Sequence, residues 1–258
     1  VKLGYDPVAR HWPDWLAALP VDVQCLPRVS APGTALGPLQ PQWARRWHMP
    51  NAHVVAGTTD STAAFLATGA DCVGQAVTSL GSTLVLKVLA DGPVFAPQFG
   101  VYSQRLGERW LVGGGSNSGG AVLRQFFTDA QLQDLEPRLH PDRPSGLDYY
   151  PLPAVGERFP LNDPHCLPRV TPRPDDDARF LQGLLEGMAE IERRGYALLQ
   201  ELGAPYPNAV ISIGGGARNA AWLRMRVRRL GVPVSVATQQ DAAFGAARLA
   251  RDRMSATA

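Results

Sequence analysis

Residues 209–236 read AVISIGGGARNAAWLRMRVRRLGVPVSV, and this stretch decides the fold class of the chain. The apolar run over 209–213 predicts a buried strand, and three glycines then form a turn before a helix predicted over 219–230. A second apolar run over 232–236 predicts another strand. A strand, a helix and a strand in this order indicate a parallel βαβ unit, which belongs to the α/β class.

Strands and helices also alternate in the rest of the chain. Two β-rich runs joined by Gly81 and Ser82 predict a hairpin, and a third strand leads into the glycine-rich stretch 113–120. Three consecutive strands ahead of a parallel unit predict a mixed sheet. Apolar residues at spacings of three and four give the helix 178–202 one buried stripe. The other predicted strands cover 54–56, 76–80, 83–89 and 109–112, and the other predicted helices cover 61–68, 121–127 and 241–251.

We expect two segments in the 258-residue chain, a connector over 1–50 and a main domain over 51–258. The connector is rich in proline, tryptophan and turn-forming residues. Within the main domain, ten of the 23 prolines fall in 137–174, a density that interrupts regular helices and strands. This region is therefore predicted to be a surface excursion, anchored where Tyr149 and Tyr150 pack against the domain.

Composition and charge indicate a folded globular protein. Hydrophobic residues make up 45% and charged residues 19%, which is enough apolar material for a substantial core. The net charge of +2 gives no electrostatic case for a nucleic-acid or membrane partner. The three cysteines are odd in number and far apart, which argues against a disulfide framework or a structural zinc site and favours a reducing compartment. We therefore expect a cytoplasmic protein.

The predicted helix 219–230 carries four arginines that could form a basic patch. At helical spacing they spread around more than one face, so a solvated helix surface is expected rather than a nucleic-acid site. The five histidines have no partners at catalytic or metal-binding spacing, and no metal ligand is assigned. The four arginines are Arg224, Arg226, Arg228 and Arg229.

Asp60 is the acidic residue whose position best fits catalysis. It follows a predicted strand through Gly57, Thr58 and Thr59 and begins a predicted helix, at the end of an α/β sheet where ligands usually bind. A carboxylate there could accept the proton of a substrate hydroxyl, as general-base catalysis of phosphoryl transfer requires. The alternative is an acidic residue that only stabilises a helix N-terminus.

Two glycine-rich turns could bind phosphate or a nucleoside, although neither completes a P-loop or a dinucleotide motif. The hairpin turn at 79–83 leaves backbone amides and hydroxyls free to converge on an anion; the alternative is an ordinary tight turn. The turn at 214–219 lets a ligand approach the backbone, with Asn219 and Trp222 one helical turn apart to contact a flat ring. Its alternative is a plain strand-to-helix turn with Trp222 in the core.

Taken together and in this order, these segments resemble the FGGY family of carbohydrate kinases. The matching segments are AGTTDS (56–61), TSLGST (78–83) and GGGARN (214–219) followed by Trp222, and the closing helix DAAFGAAR (241–248) is similar to the family's last helix. The resemblance covers residues 33 to 250. The stretches from Lys2 to Asp6 and over 145–153 are most similar to compact members described as D-ribulose kinases or putative xylulose kinases.

The resemblance implies an actin-like, ribonuclease H-like ATPase fold in which two domains close on ATP, Mg²⁺ and a sugar. By similarity, Asp60 is the catalytic base that takes the proton from the sugar hydroxyl. The second phosphate loop is matched by Gly81, Ser82 and Thr83. The adenosine pocket is matched by Gly214, Gly215, Gly216, Asn219 and Trp222.

One family motif, the Asp-x-Gly-Thr phosphate loop of the first domain, has no counterpart here. Residues 57–60 have a similar sequence, GTTD, but belong to the second domain. We therefore expect the C-terminal half of a two-domain kinase, inactive without its N-terminal domain, that takes part in ATP-dependent phosphorylation of a ketopentose, D-ribulose or D-xylulose. The alternative is a stand-alone nucleotide-binding or regulatory module without kinase activity.

Overall fold

A six-stranded mixed sheet forms the centre of the molecule. The computed structural model describes residues 4–255, with side chains through residue 252, so Lys2 and the outer ends of both predicted segments lie outside the described residues. The strands are β1 (Ala35–Pro38), β2 (His53–Val55), β3 (Gln75–Leu80), β4 (Leu84–Ala90), β5 (Tyr102–Leu106), β6 (Arg109–Ser116), β7 (Ala209–Ile213) and β8 (Val234–Val236). The central sheet has the order β5-β6-β4-β3-β7-β8. Strands β3, β7 and β8 are parallel, whereas β4, β5 and β6 pair antiparallel, which confirms the predicted mixed sheet.

Helices connect and cover these strands. In the described part of the chain the α-helices are α1 (Pro41–Arg46), α2 (Asp60–Ala67), α3 (Gly120–Phe126), α4 (Asp129–Leu135), α5 (Asp177–Glu201), α6 (Ala220–Leu230) and α7 (Ala242–Ser255). The predicted order β7-α6-β8-α7 is confirmed, with ends that differ by a few residues. Four of these elements were not predicted, namely β1, α1, β5 and α4. Helix α4 nevertheless begins with a capping box between Thr128 and Gln131.

The two faces of the sheet carry different helices. On one face, α5 and α6 form the larger core with β4, through residues such as Leu86, Met188 and Met225. On the other face, Phe65 of α2 packs against Val77 of β3, and α7 packs along α2. The result is a three-layer α/β architecture.

Helix α5 is more deeply buried than its apolar pattern predicts. Its polar residues Gln182 and Glu186 are buried together with the apolar stripe. Glu186 accepts hydrogen bonds from Ser145 of the proline-rich region and contacts Arg228 of α6. The prediction of a single buried stripe is therefore wrong, because neighbouring segments cover a second side of the helix.

Strand β6 continues through glycines that the sequence suggested as a loop. The prediction ended this strand at residue 112, but it runs to Ser116. A side chain at Gly113 would overlap the carbonyl of Leu86 on β4, and a Cβ at Gly114 would lie 2.5 Å from the Phe159 ring. These glycines therefore allow close packing on both faces of a regular strand.

The proline-rich region 137–174 lies partly in the core. Tyr149 and Tyr150 are buried, as expected, but Phe159 is also fully buried against the sheet. Glu157 is buried as well, and it accepts hydrogen bonds from the Ser116 hydroxyl at 2.6 Å and the Asn117 amide at 2.8 Å. The region is therefore joined to the end of β6 by both apolar and polar contacts.

A second, two-stranded sheet joins the predicted connector to the main domain. Strand β1 pairs antiparallel with β2, so the predicted boundary at residue 50 falls between two paired strands. Among the described helices, none combines the length and the hydrophobicity that crossing a membrane requires.

Candidate active site

The two glycine-rich turns lie side by side at the carboxyl ends of two parallel strands. Ser79 at the end of β3 is in register with Ile213 at the end of β7. Gly214 then turns with a φ of 88°, and a Cβ there would lie 2.8 Å from the carbonyl oxygen of Leu80. This close crossing requires glycine at position 214. Its amide donates a hydrogen bond to Oε1 of Gln240 at 2.7 Å.

In the turn Gly81 to Thr83, the Gly81 amide donates to the Thr83 carbonyl at 3.3 Å, and the other two backbone amides donate to none of the turn's own carbonyls. The amides of Gly120 and Ala121 at the start of α3 donate to the carbonyls of Gly81 and Ser82, at 2.9 Å and 3.1 Å, and hold the turn in place. Gly81 and Ser82 are exposed. Within the described residues, the amides of Ser82 and Thr83 have no hydrogen-bond acceptor. An anion at this turn could accept from both.

The second turn is open above Gly215. Gly215 is exposed, and a Cβ at this position would meet nothing within 4 Å. Asn219 follows as the N-cap of α6, where its side chain accepts a hydrogen bond from the Trp222 amide at 2.7 Å. The Asn219 side chain is only partly buried. The turn can therefore receive a ligand directly on its backbone.

Trp222 does not present its ring to this surface. Its side chain is 3% exposed, and its Nε1 donates to the carbonyl of Leu185 on α5 at 3.0 Å. A Cβ at Gly216 would lie 2.5 Å from the ring. Trp222 therefore packs beneath the turn, which is the alternative interpretation given above, and the expectation that its aromatic face contacts a ligand is corrected.

Asp60 is the first residue of α2 and is exposed to solvent. Its Oδ1 accepts a hydrogen bond from the Ser61 amide at 2.6 Å. Ser61 is in turn hydrogen bonded to Lys87 of β4, which lies three residues after the start of that strand at Leu84. At about 3.4 Å per residue, Lys87 is about 14 Å along the strand from Thr83, the last residue of the Gly81 to Thr83 turn. Asp60 is thus connected through Ser61 to β4, the strand that follows the Gly81 to Thr83 turn.

Lys87 is a residue of this site that the sequence analysis did not identify. It is 5% exposed, and its Nζ donates to Ser61 Oγ at 3.1 Å and to Gln104 Oε1 of β5 at 2.9 Å. Burial lowers the pKa of the Lys87 ammonium to about 8, and the negative charge of Asp60 opposes this effect. The available signal was a charged residue within the apolar strand sequence LVLKVLA, in a chain with only one other lysine.

A buried ionic network lies beneath the two turns. Arg226 of α6 is 0% exposed, and its Nε and Nη2 donate to the two carboxylate oxygens of Glu192 at 2.6 Å and 2.7 Å. Arg226 also donates to Ser212 of β7, and Glu192 accepts from Thr78 of β3. Thr78 of β3 is paired with Ser212 of β7, one residue before the last pair of these two strands. The network therefore links both strands that precede the turns.

This network corrects the expectation for the arginine-rich helix. Arg226 is in the core rather than on a solvated surface, because Glu192 and Ser212 supply acceptors for a buried guanidinium. The other three arginines are each paired with a carboxylate on another segment: Arg224 with Asp142, Arg228 with Glu186 and Arg229 with Glu190.

The described residues contain no group of three or more histidine, cysteine, aspartate or glutamate side chains arranged to hold a metal ion. Mg²⁺ usually binds through one or two carboxylates together with substrate phosphates and water. The described residues thus offer no complete protein cage for Mg²⁺.

The chain is similar to known proteins in both sequence and structure. The chain is 28% identical to the xylulose kinase of Klebsiella pneumoniae over 261 residues and 28% identical to that of Escherichia coli over 260 residues; each alignment covers 95% of this chain and 53% of the relative. The structure of a xyloylose kinase from Brucella ovis superposes with a TM-score of 0.83 at 27% identity, over 96% of this chain and 53% of that structure. The chain thus spans about half the length of these relatives. Residues 76–251 match the C-terminal domain of the FGGY family of carbohydrate kinases, and the chain belongs to that family.

Proposed function

We propose that this chain is the nucleotide-binding and catalytic-base half of a kinase that transfers the γ-phosphoryl group of ATP to a hydroxyl of a ketopentose, D-xylulose or D-ribulose. The observation that carries the proposal is the adjacency of two exposed glycine-rich turns at the ends of β3 and β7, with an exposed carboxylate at the start of α2. The relatives named xylulose kinase support a pentulose as the acceptor.

Each of the two turns would bind a different part of the nucleotide. The free amides of Ser82 and Thr83 would donate to phosphate oxygens. The backbone of 214–216 and the side chain of Asn219 would contact the adenosine, with Trp222 as their buried support. Mg²⁺, when bound with the nucleotide, would neutralise charge on the transferred phosphoryl group.

Asp60 would act as the general base. Its exposed carboxylate can approach a sugar hydroxyl, and one of its oxygens is oriented by the Ser61 amide. Removing the hydroxyl proton as the oxygen attacks the γ-phosphorus makes the oxygen a better nucleophile. The residues of this chain thus bind the donor and accept the proton, and sugar contacts from a further domain would complete the site.

The test is Asp60→Asn in the complete protein, assayed with D-xylulose, D-ribulose, pentoses and polyols. We expect turnover to fall by about two to four orders of magnitude, the usual contribution of general-base catalysis, with ADP affinity unchanged by calorimetry. Asp91→Asn, an exposed aspartate in the connection after β4, is the matched control and should retain full turnover.

Substantial turnover by Asp60→Asn would contradict the role assigned to Asp60. Nucleotide binding without turnover on any sugar by the unmodified protein would favour the alternative, a nucleotide-binding or regulatory module.

A further inference from the structure

We propose that Lys87 is a positioning residue, which fixes the turn 59–62 and thereby the carboxylate of Asp60 for phosphoryl transfer. The catalytic part of this proposal rests on the proposed function, whereas the fixing of the turn can be measured separately. The hydrogen bonds of Lys87 go to Ser61 and Gln104 and to neither of the two glycine-rich turns.

The Lys87 side chain occupies space next to a glycine of the neighbouring strand. Lys87 lies in the middle of β4, opposite Gly113 of β6. A Cβ at Gly113 would lie 3.2 Å from Cγ of Lys87, so a larger residue there would compete with the lysine for this space. The ammonium group therefore emerges on the α2 side of the sheet, at the first turn of that helix.

The hydrogen bonds of Lys87 reach both ends of the turn. One bond goes directly to Ser61 Oγ at 3.1 Å. The other goes to Gln104 Oε1, which also accepts from the Thr62 hydroxyl at 2.9 Å, and Thr62 in turn accepts from the Thr59 hydroxyl at 3.0 Å. Asp60 lies between these anchored residues. Its backbone is therefore held by a network whose only charged member is Lys87.

The burial of Lys87 is difficult to explain by stability alone. Its ammonium is almost completely removed from water, and within the described residues it forms no ion pair at contact distance, only hydrogen bonds to two neutral oxygens. A buried charge without a carboxylate partner destabilises a fold. The negative charge of Asp60 favours the protonated form of Lys87 and so opposes the effect of burial on its pKa. Such an arrangement is typical of functional sites.

The test compares Lys87→Met with Gln104→Leu, Gln104→Glu and Ser103→Ala in the complete protein. Hydrogen exchange of the amides of Thr62 and Ala63, which are bonded to the Thr59 carbonyl, reports on the turn. We expect exchange about tenfold faster in Lys87→Met and Gln104→Leu, with no change over β7. Gln104→Glu keeps the acceptor oxygen and should keep the slow exchange.

The kinetic readout separates positioning from nucleotide binding. In Lys87→Met, kcat should fall by about tenfold or more, while the KM for ATP stays within about twofold, because the nucleotide turns are untouched. Ser103→Ala removes a buried hydroxyl from the other side of β5, where it bonds Val94, and should leave kcat unchanged.

Unchanged exchange at Thr62 and Ala63 in Lys87→Met would overturn the proposal, as would an unchanged kcat in an active enzyme. If the unmodified protein phosphorylates none of the sugars, the proposed function fails, and hydrogen exchange still decides whether Lys87 fixes the turn.

Discussion

Lys87→Met should stabilise the protein at neutral pH. The pKa of Lys87 is lowered from its ordinary value of 10.5 to about 8, and burial is the main cause. A difference of this size corresponds to about 3 kcal/mol of destabilisation by the protonated side chain, at about 1.4 kcal/mol for each pH unit. Loss of the two bonds to Ser61 and Gln104 offsets about 2 kcal/mol, about 1 kcal/mol for each bond. We therefore expect the free energy of unfolding to rise by about 1 kcal/mol at pH 7.

The pH dependence has a defined sign. Because the pKa is lower in the folded state, the destabilisation by Lys87 is fully present below pH 8 and disappears as the pH rises from 8 to 10.5. The advantage of Lys87→Met should therefore shrink across that window. The assay is urea denaturation of the 258-residue chain followed by tryptophan fluorescence at several pH values, with Ser103→Ala as a control whose pH dependence should parallel that of the unmodified chain. A Lys87→Met chain that is less stable at pH 7, with a difference from the unmodified chain that does not change with pH, would refute the reasoning.

Two further predictions concern the turns and the network beneath them. Arg226→Met should destabilise the fold by about 3 to 5 kcal/mol in urea denaturation, because Glu192 loses its partner in the core, whereas Arg224→Met, which breaks an exposed pair at 3.6 Å, should change stability by less than about 1 kcal/mol. Equal effects of the two substitutions would contradict the assignment of Arg226 to the core. Gly214→Ala should weaken ADP binding by about tenfold or more in calorimetry, since a methyl group there meets the Leu80 carbonyl at 2.8 Å, whereas Gly215→Ala has open space around it and should remain folded with the turn intact. ADP binding by Gly214→Ala at the unmodified affinity would argue against nucleotide contact at this turn.

Much of the fold could be predicted from local sequence. The apolar run of β7, the glycines after it and the helix α6 depend on residues close together in the chain, and the hairpin β3-β4 is indicated by its own turn residues. The same locality explains why the two turns and Asp60 could be named as candidates, since each lies at a recognisable junction between elements. Strand β5 was missed because its polar residues Ser103, Gln104 and Arg105 do not form an apolar run.

The chemical surroundings of the candidates were decided by tertiary structure. Whether Trp222 contacts a ligand or the core depends on the position of α5, where its partner Leu185 lies 37 residues earlier in the chain. Arg226 is buried because Glu192 and Ser212 converge on it from other elements, and Lys87 reaches Asp60's turn because β4, β5 and α2 meet there. The sequence by itself determined most of the central strands, helices and turns, because those depend on local spacing. Only the tertiary structure decided which side chains are buried and which charges interact, because both follow from contacts between distant segments.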